Sequence, residues 1–417
     1  MKSLMRKAMG AERYALMATA AYGMGAQVRR WRHRRTRVSL SATRPLRLGR
    51  FSAPAGNTFF GYHDVTPFSA DDSRLLAIHT GDSPTSPARV GWFTLDVPEK
   101  GFHAAAETET WCWQQGCRLQ WHAGAPSSHV LFNRMVDGAF GCEVFDLDVG
   151  QSLSRYNRPV YAVDPKGRTA LSLNFARLQR LRPGYGYANL EDETVGQRTP
   201  AADGLWRLDL ESGKSDLVHS LAELAALLPQ PSMDGAEHYL NHLSFSPSGS
   251  RIIFFHLWRG RGVRYSRMLT ANADGTGVAL LSPNRASHVC WLSDDEVLAY
   301  TTDEQGMGRY RRFRIGELGF APVVGEDHTE DGHPMPSPDG KTVVIDTYPD
   351  SLSERRLSLL DLATGVNLPL GAFFSPPWLT GERRCDLHPR WNGAGTRIAI
   401  DSAHEGRRGL YVLNLLP

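Results

Sequence analysis

One phrase recurs along this chain of 417 residues, and it constrains the fold more than any other feature. The phrase is a His, two residues, an aromatic residue or Pro, then a polar turn and a β run. Its clearest copies begin at His242 (HLSFSPSGSRIIFF), His333 (HPMPSPDGKTVVID) and His388 (HPRWNGAGTRIAID). Looser copies begin at His63 and His288, and two without the His lie at Arg118 and around Val160. The chain therefore contains seven related units, at intervals of 42 to 82 residues.

Each unit reads as strand, tight turn and second strand, with a further apolar strand in several units at 205–210, 356–362 and 410–415. A single such sheet leaves one face uncovered, and radial stacking of several sheets covers it. The sequence therefore predicts an all-β, seven-bladed β-propeller over residues 51–417. Only 175–181 and 220–228 have helical spacing, and the longest interval holds an insertion with the first of these segments.

The charge of the chain is concentrated at its N-terminus. Lys and Arg number 47 against 44 Asp and Glu, yet six Arg fall between Arg29 and Arg37, so the remaining body is slightly acidic. We assign residues 1–50 to a basic, partly helical or disordered extension and expect no nucleic-acid binding. The extension is expected either to contact anionic lipid peripherally or to stay solvated.

Several function classes are excluded or disfavoured by composition. No apolar run approaches the roughly 18 residues of a membrane span, which excludes a polytopic membrane protein. The five Cys form no CxxC pair, and an odd number suits a reducing compartment. With no convincing signal peptide, we expect a cytoplasmic monomer; contact with the inner membrane face through the basic extension is the alternative to a solvated extension.

The recurring His residues are the first candidates for function. Five of the seven units place a His at the start of the strand nearest the propeller axis, where residues from all blades share one space. Each His alone could simply cap its strand. Imidazoles that converge in one polar cavity would form a metal site or an acid–base set.

The last unit is the richest in metal-ligand types, with Cys385, Asp386, His388 and His404 within twenty residues. We predict a divalent metal site, most simply Zn²⁺, with ligands Cys385, His388 and His404 and with His242 completing the set across the funnel. The alternative is a buried Cys385 that packs as a small apolar side chain.

The third unit adds phenols and positive charge. Tyr161 and Arg177 flank its turn, and a phenol beside a guanidinium has its ionised form favoured, as a phenolic base or acid requires. Tyr185 and Tyr187 follow in RPGYGY, where sugar stacking and loop packing are equally good interpretations.

Several longer phrases are familiar. GYHDVTPFS, LSLNFARL with RPGYGY, NHLSFSPSG with FFHLWRG, DGHPMPSPDG with DTYPD, and RCDLHPRW with DSAHEGRRGLY lie in order along residues 51–417. Together they resemble the seven-bladed propeller polysaccharide lyases of the ulvan lyase type. They are more distantly similar to oligogalacturonate lyases.

The resemblance implies β-elimination at a uronic acid in an acidic oligo- or polysaccharide. Arg177 would bind the substrate carboxylate and Tyr161 would act as base or acid. A His partner would come from an earlier blade, with His63 the best match and His79 or His122 second.

The resemblance also implies further binding residues and a structural role for the metal. His242, Cys385, His388 and His404 match the positions of a zinc site. We expect Tyr185, Tyr187, His333 and Arg390 to contact the glycan.

Two alternatives remain open at this point. One is a non-catalytic propeller that binds glycan or assists exopolysaccharide assembly and keeps the metal for stability. The other is a propeller glycoside hydrolase, which requires two positioned carboxylates, for which Asp64, Asp331 and Asp386 are the candidates.

Overall fold

The computed structural model describes residues 37–83, 86–317, 322–325 and 328–416, and these form seven antiparallel sheets around an axis. This confirms the predicted all-β, seven-bladed propeller. Most of the basic extension, residues 1–36, lies outside the described residues, and with it the proposed lipid contact. None of the helices among the described residues combines the length and the apolar character that crossing a membrane requires.

The strands follow the chain from blade to blade. Two strands, β1 (Val38–Leu40) and β2 (Leu46–Phe51), precede the first blade. Blade 1 contains β3 (Asn57–Phe59), β4 (Arg74–Thr80), β5 (Ala88–Thr94) and β6 (His103–Thr108). Blade 2 contains β7 (Gln120–Trp121), β8 (His129–Val136), β9 (Ala139–Asp146) and β10 (Gln151–Tyr156). Blade 3 contains β11 (Ala162–Val163), β12 (Thr169–Ser172), β13 (Gly204–Asp209) and β14 (Ser215–Ser220).

The second half of the ring continues in the same order. Blade 4 contains β15 (Glu237–Phe245), β16 (Arg251–Gly260), β17 (Val263–Asn272) and β18 (Ala279–Ser282). Blade 5 contains β19 (Ala286–Trp291), β20 (Glu296–Thr302) and β21 (Gly308–Arg314). Blade 6 contains β22 (Met335–Pro336), β23 (Thr342–Asp346), β24 (Glu354–Asp361) and β25 (Asn367–Phe374). Blade 7 contains β26 (Arg390–Trp391), β27 (Arg397–Ser402) and β28 (Gly409–Leu415).

The polar turns of the repeated phrase join the innermost strand of a blade to its second strand. In blade 4, Gly249 has φ +76° and its N–H donates to the Ser246 carbonyl at 2.8 Å. The Ser246 hydroxyl in turn accepts from the Arg251 N–H at 3.2 Å. Glycine adopts this left-handed conformation without steric cost, and a Ser, Asp or Asn side chain satisfies the turn. We call the face with these turns the lower face and the opposite face the upper face.

The N-terminal strands close the ring. Strand β2 pairs with β28 along its whole length, from Leu46 opposite Leu415 to Phe51 opposite Leu410, and so completes blade 7. Strand β1 pairs with β25 as a fifth strand of blade 6. The boundary predicted at residue 51 therefore falls within β2. The pairing of β2 with β28 satisfies backbone groups that the edge of blade 7 would otherwise expose.

Both predicted helical segments are helices. Helix α1 (Phe175–Leu181) lies in the insertion between β12 and β13, on the upper face, and Asn174 caps it. Helix α2 (Leu221–Ala226) follows β14 and begins with a capping box between Ser220 and Glu223. Three short 3-10 helices complete the described elements: Pro98–Lys100, Pro231–Met233 and Gly381–Arg383.

Candidate functional site

The five recurring His side chains do meet on the propeller axis. His63, His242, His288, His333 and His388 are all at most 5% exposed. Ring centroids are 4.2 Å apart for His288 and His333, and 4.3 Å apart for His333 and His388. We call these five side chains the histidine cluster. The ring of Tyr62 lies among them, 4.5 Å from His63 and 4.9 Å from His388.

A local backbone distortion places some of these side chains. His242 and His388 have φ of +53° and +43°, and Arg118, which occupies the same repeat position in blade 2, has +53°. In blade 4 the pairing register of β15 shifts between Asn241 and Ser244, on either side of His242. A bulge of this kind redirects a side chain, and such strained conformations concentrate at functional sites.

Most of the cluster is oriented by hydrogen bonds through Nδ1. The bonds run from His63 to the Pro334 carbonyl (2.9 Å), His288 to Asp331 (2.7 Å), His333 to Asp346 (2.8 Å) and His388 to the Gly61 carbonyl (2.7 Å). The buried Nε2 atoms of His288, His333 and His388 have no hydrogen-bond partner among the residues that the structure describes. Metal-binding histidines show this pattern, because an outer acceptor on one nitrogen fixes the lone pair on the other.

A candidate metal site lies within the cluster. Ligand atoms of His333, Asp386 and His388 lie within 4.8 Å of one another, and no other such trio of His, Cys, Asp or Glu occurs in the described ranges. Arg355 and Arg384 bind the Asp386 carboxylate, with closest distances of 2.6 and 2.7 Å. Unpartnered imidazole nitrogens beside a carboxylate suit a divalent first-row metal, so these residues fit such an ion.

The predicted quartet of ligands is not assembled. Only His388 belongs to the trio, while His242 lies across the funnel, 6.1 Å from His288 between ring centroids. His404 binds the Ser402 hydroxyl at 2.8 Å and packs 4.4 Å from Tyr411. The buried Cys385 thiol donates to the Asp386 carbonyl at 3.9 Å and does not belong to the trio. Spacing in sequence misled the prediction because His404 follows β27 away from the axis.

A basic cavity opens on the upper face, directly beside the histidine cluster. Its volume is about 320 Å³, and we call it the basic cleft. Its lining comprises Leu181, Arg182, Pro183, Tyr185, Arg259, Gly262, Arg264, Tyr348, Gly381 and Arg384. A smaller cavity of about 150 Å³ shares Arg182 and Arg264 with it and adds Arg285. The concentration of guanidinium groups makes this opening suited to an anionic ligand.

The arginines of this opening have few internal counter-ions. Among the described residues, Arg182, Arg259, Arg264 and Arg285 form no ion pair with a carboxylate. The positive charge of Arg182 is the main reason that the pKa of Arg264 is lowered. Like charges held this close are stabilised by an anion between them.

Arg182 connects the basic cleft to the histidine cluster. Its Nη1 donates to Nε2 of His242 at 3.1 Å, and its guanidinium lies 3.8 Å over the ring of Tyr185. Burial is the first cause, and the Arg182 charge the second, of a pKa of His242 well below its usual value. His242 is therefore a neutral imidazole, and its Nε2 accepts from Arg182 and, at 3.2 Å, from the Asn241 side chain.

Arg177 does not lie in the funnel, contrary to the prediction. Its Nε donates to the His238 carbonyl at 2.6 Å, and its Nη atoms donate to Thr194 and to the carbonyls of Gln197 and Arg198. All its donors are committed and the side chain is 1% exposed. Its function is to hold the insertion of blade 3, so the substrate carboxylate has no donor there.

Tyr161 is buried on the other side of the cluster. Its hydroxyl donates to the Asn241 side chain and accepts from the His242 N–H, each at 3.1 Å. Burial raises its pKa although Arg118 lies 4.3 Å over its ring, so the expected ionised form is not favoured. Tyr161 orients the backbone of His242 instead.

The residues predicted to contact glycan divide into two kinds. Tyr185 lines the basic cleft, as that prediction requires, whereas Tyr187 is fully buried, stacks 4.4 Å from Phe175 and binds Asn133. Arg390 is fully buried and pairs with Asp401 at 2.8 Å. His333 lies in the candidate metal trio.

The alternative His partners lie outside the cluster. His79 is on β4 and binds the Thr58 hydroxyl at 3.1 Å. His122 is in the lower turn of blade 2, where it accepts from the Gly124 N–H. His63 is in the cluster, but together with Tyr62 and His242 it lines a separate cavity of about 310 Å³ toward the lower face. Asp64 forms a bidentate ion pair with Arg118 there.

Sequence reasoning missed Tyr62, which lies among the histidine cluster, and several residues of the cleft. Arg182 stands in the RPGYGY phrase and Tyr62 in GYHD, so both adjoined residues already singled out. Tyr348 stands in the DTYPD phrase, which carried no specific prediction for it. Arg264, near the start of β17, carried no signal, because its position does not repeat between blades.

No family model and no curated protein sequence matches this chain. Among solved structures, it is similar to an oligogalacturonate lyase from Vibrio parahaemolyticus, with a TM-score of 0.63, 14% identity, and coverage of 91% of this chain and 96% of that one. It is also similar to an oligogalacturonate lyase in complex with manganese, with a TM-score of 0.62, 16% identity and the same coverage. These likenesses establish the seven-bladed fold; the ulvan lyase type is not confirmed.

Proposed function

We propose that this propeller is a metal-dependent lyase-like protein that cleaves an acidic, uronate-containing oligosaccharide by β-elimination. The observation that carries the proposal is the adjacency of the basic cleft to the unpartnered Nε2 atoms of the histidine cluster. The oligogalacturonate lyases of the same fold, one of them a manganese complex, support it.

Arg182 is the candidate for binding the substrate carboxylate, since it lines the cleft and has no internal carboxylate partner among the described residues. Neutralising that carboxylate acidifies the adjacent C5–H bond. A bidentate guanidinium contact also orients the sugar. A divalent ion on His333, Asp386 and His388 would add positive charge near the same carboxylate.

His242 is the candidate base. Its Nε2 accepts from Arg182 at 3.1 Å and from Asn241 at 3.2 Å, so it acts as a base once a substrate carboxylate takes over the Arg182 donor and brings C5–H beside this neutral imidazole. His242 takes the proton, the C–H electron pair becomes the C4–C5 double bond, and the C4–O4 bond breaks with its electrons on O4. The buried Tyr62 hydroxyl has no hydrogen-bond partner in the described ranges, and its ring lies 5.3 Å from that of His242, which makes it the candidate acid that gives O4 its proton. Transfer of the proton from His242 to the Tyr62 phenolate then returns both side chains to their starting protonation states.

The pairing of the three candidate carboxylates, Asp64, Asp331 and Asp386, disfavours the glycoside hydrolase alternative. Arg355 and Arg384 outweigh burial and hold the pKa of Asp386 well below its usual value. Asp331 pairs with His288, and Asp64 with Arg118. Each of the three is therefore paired with a basic side chain, whereas a glycosidase needs a carboxyl group free to donate to the leaving group.

The test is the ultraviolet absorbance of an unsaturated uronate, measured with a panel of uronate polymers and with manganese or zinc added. We expect an increase with at least one polymer, its loss in Arg182→Ala and His242→Ala, and its retention in Arg314→Ala on the exposed outer strand of blade 5. Binding without any increase in absorbance would replace the lyase with a glycan-binding propeller.

A further inference from the structure

Trp378 is the one exposed tryptophan in the described part of the chain. It is 57% exposed, whereas the other described tryptophans are buried or partly buried. An indole is a large apolar surface with a polar edge, and proteins use it repeatedly at binding interfaces. Its exposure therefore needs a position-specific explanation.

Trp378 lies on the same face as the basic cleft. Strand β25 ends at Phe374 on the upper face, and the connection that follows leads into the innermost part of blade 7. Gly381 and Arg384 of this connection line the cleft. Gly381 is three residues beyond Trp378, so their Cα atoms are at most about 11 Å apart.

The segment after Trp378 is firmly held. The Gln114 side chain donates to the carbonyls of Glu382 and Arg384 at 3.2 and 2.7 Å. Arg408 donates to the carbonyls of Arg383 and Arg384 at 3.2 and 2.7 Å. This anchoring restricts where the indole can lie relative to the cleft, as a binding platform requires.

The surroundings of Trp378 suit an acidic sugar chain. Arg383 stands between Trp378 and Arg384 in sequence, with a side chain 49% exposed that lies 3.9 Å from Asp82. A pyranose presents a face of C–H groups, which pack against the electron-rich face of an indole. Carboxylates of the same chain would meet the positive charge at either side.

We propose that Trp378 forms an outer subsite, on which a sugar next to the one in the basic cleft stacks. This inference rests on the proposed binding of an acidic oligosaccharide and adds a preference for chain length. A dimer fills the cleft without reaching Trp378, whereas a longer oligomer covers it.

The test compares di- and tetragalacturonate binding to the full chain by calorimetry, with no turnover required. We expect Trp378→Ala to weaken tetramer binding roughly three- to tenfold, by loss of one stacking contact, and to leave dimer binding unchanged. Trp378→Phe should retain most of the affinity. The control is Val366→Ala, an equally exposed apolar residue in the lower turn between β24 and β25.

Tryptophan fluorescence gives a second readout. Tetramer should change the emission of the wild type more than that of Trp378→Phe, while dimer should affect both equally. Equal affinities of wild type and Trp378→Ala for the tetramer, or equal losses for both ligands, overturn the subsite. If no β-elimination is detected but the tetramer still binds more tightly through Trp378, the lyase proposal is overturned and the subsite is retained. If the wild type binds neither ligand, both proposals are overturned.

Discussion

Asp346 and His333 form the hydrogen bond that orients the candidate metal site, with Asp346 Oδ1 2.8 Å from His333 Nδ1. The same carboxylate accepts from the backbone N–H groups of Leu387 and His388, at 3.0 and 3.1 Å. One buried side chain of blade 6 thus positions a candidate ligand of its own blade and another from blade 7.

Asp346→Asn is expected to weaken divalent-metal binding about 10- to 100-fold, because an outer partner sets the tautomer and orientation of the ligand. Competition with a metal chelator, followed by elemental analysis, measures this. Asp216→Asn, an exposed residue of β14, serves as the control. Unchanged metal affinity in Asp346→Asn would contradict the arrangement.

Two single substitutions separate the two possible ligand sets. His388→Ala should abolish stoichiometric binding of a divalent ion, and His404→Gln should retain it, since His404 binds Ser402 instead. Metal content of purified protein, after reloading with manganese or zinc, is the measurement. Loss of metal from the His404→Gln variant would instead support the four-ligand site predicted from sequence.

Arg177→Ala is expected to destabilise the fold by about 2–4 kcal/mol, because it leaves the carbonyls of His238, Gln197 and Arg198 without their donor. Urea unfolding should show this loss. Any residual folded protein should bind oligogalacturonate normally. A fully stable variant with abolished binding would instead place Arg177 in the substrate site.

Stability should fall as pH falls below neutrality. Burial lowers the pKa of His404 to about 4, against roughly 6.5 in an unfolded chain. Between these two pKa values the unfolded chain binds more protons than the folded protein. The free energy of unfolding therefore decreases by roughly 3 kcal/mol as the pH drops from the unfolded to the folded pKa. His404→Gln should flatten this dependence in urea unfolding at pH 7 and pH 5; equal slopes would refute the assignment.

Ring closure can be tested by truncation. A chain beginning at Arg37 retains β1 and β2 and should melt near the temperature of the full chain. A chain beginning at Ser52 loses β2, which leaves the β28 edge unpaired and should lower the melting temperature sharply. Equal melting temperatures for the two chains would show that β2 contributes little to closure.

The cluster was predictable from sequence to the extent that it repeats. His63, His242, His288, His333 and His388 share one position in the phrase, and the propeller brings equal positions to one axis. Arg182 does not repeat, and its place depends on how the blade 3 insertion folds over the upper face. Arg177 and Tyr161 are close in sequence but do not share a cleft, because Arg177 lies on α1 and bonds to the insertion whereas Tyr161 is buried beside His242.

The sequence by itself determined the number of blades, the turns that end the innermost strands and the five histidines that face the axis. These follow from local rules: alternation, turn chemistry and a repeat that can bury its faces only in a ring. Only the tertiary structure decided which strand closes the ring, which histidines keep an unpartnered nitrogen and which arginines lack a counter-ion. Those properties depend on contacts between residues distant in sequence, such as Asp346 with His388 and Arg182 with His242, which no local pattern encodes.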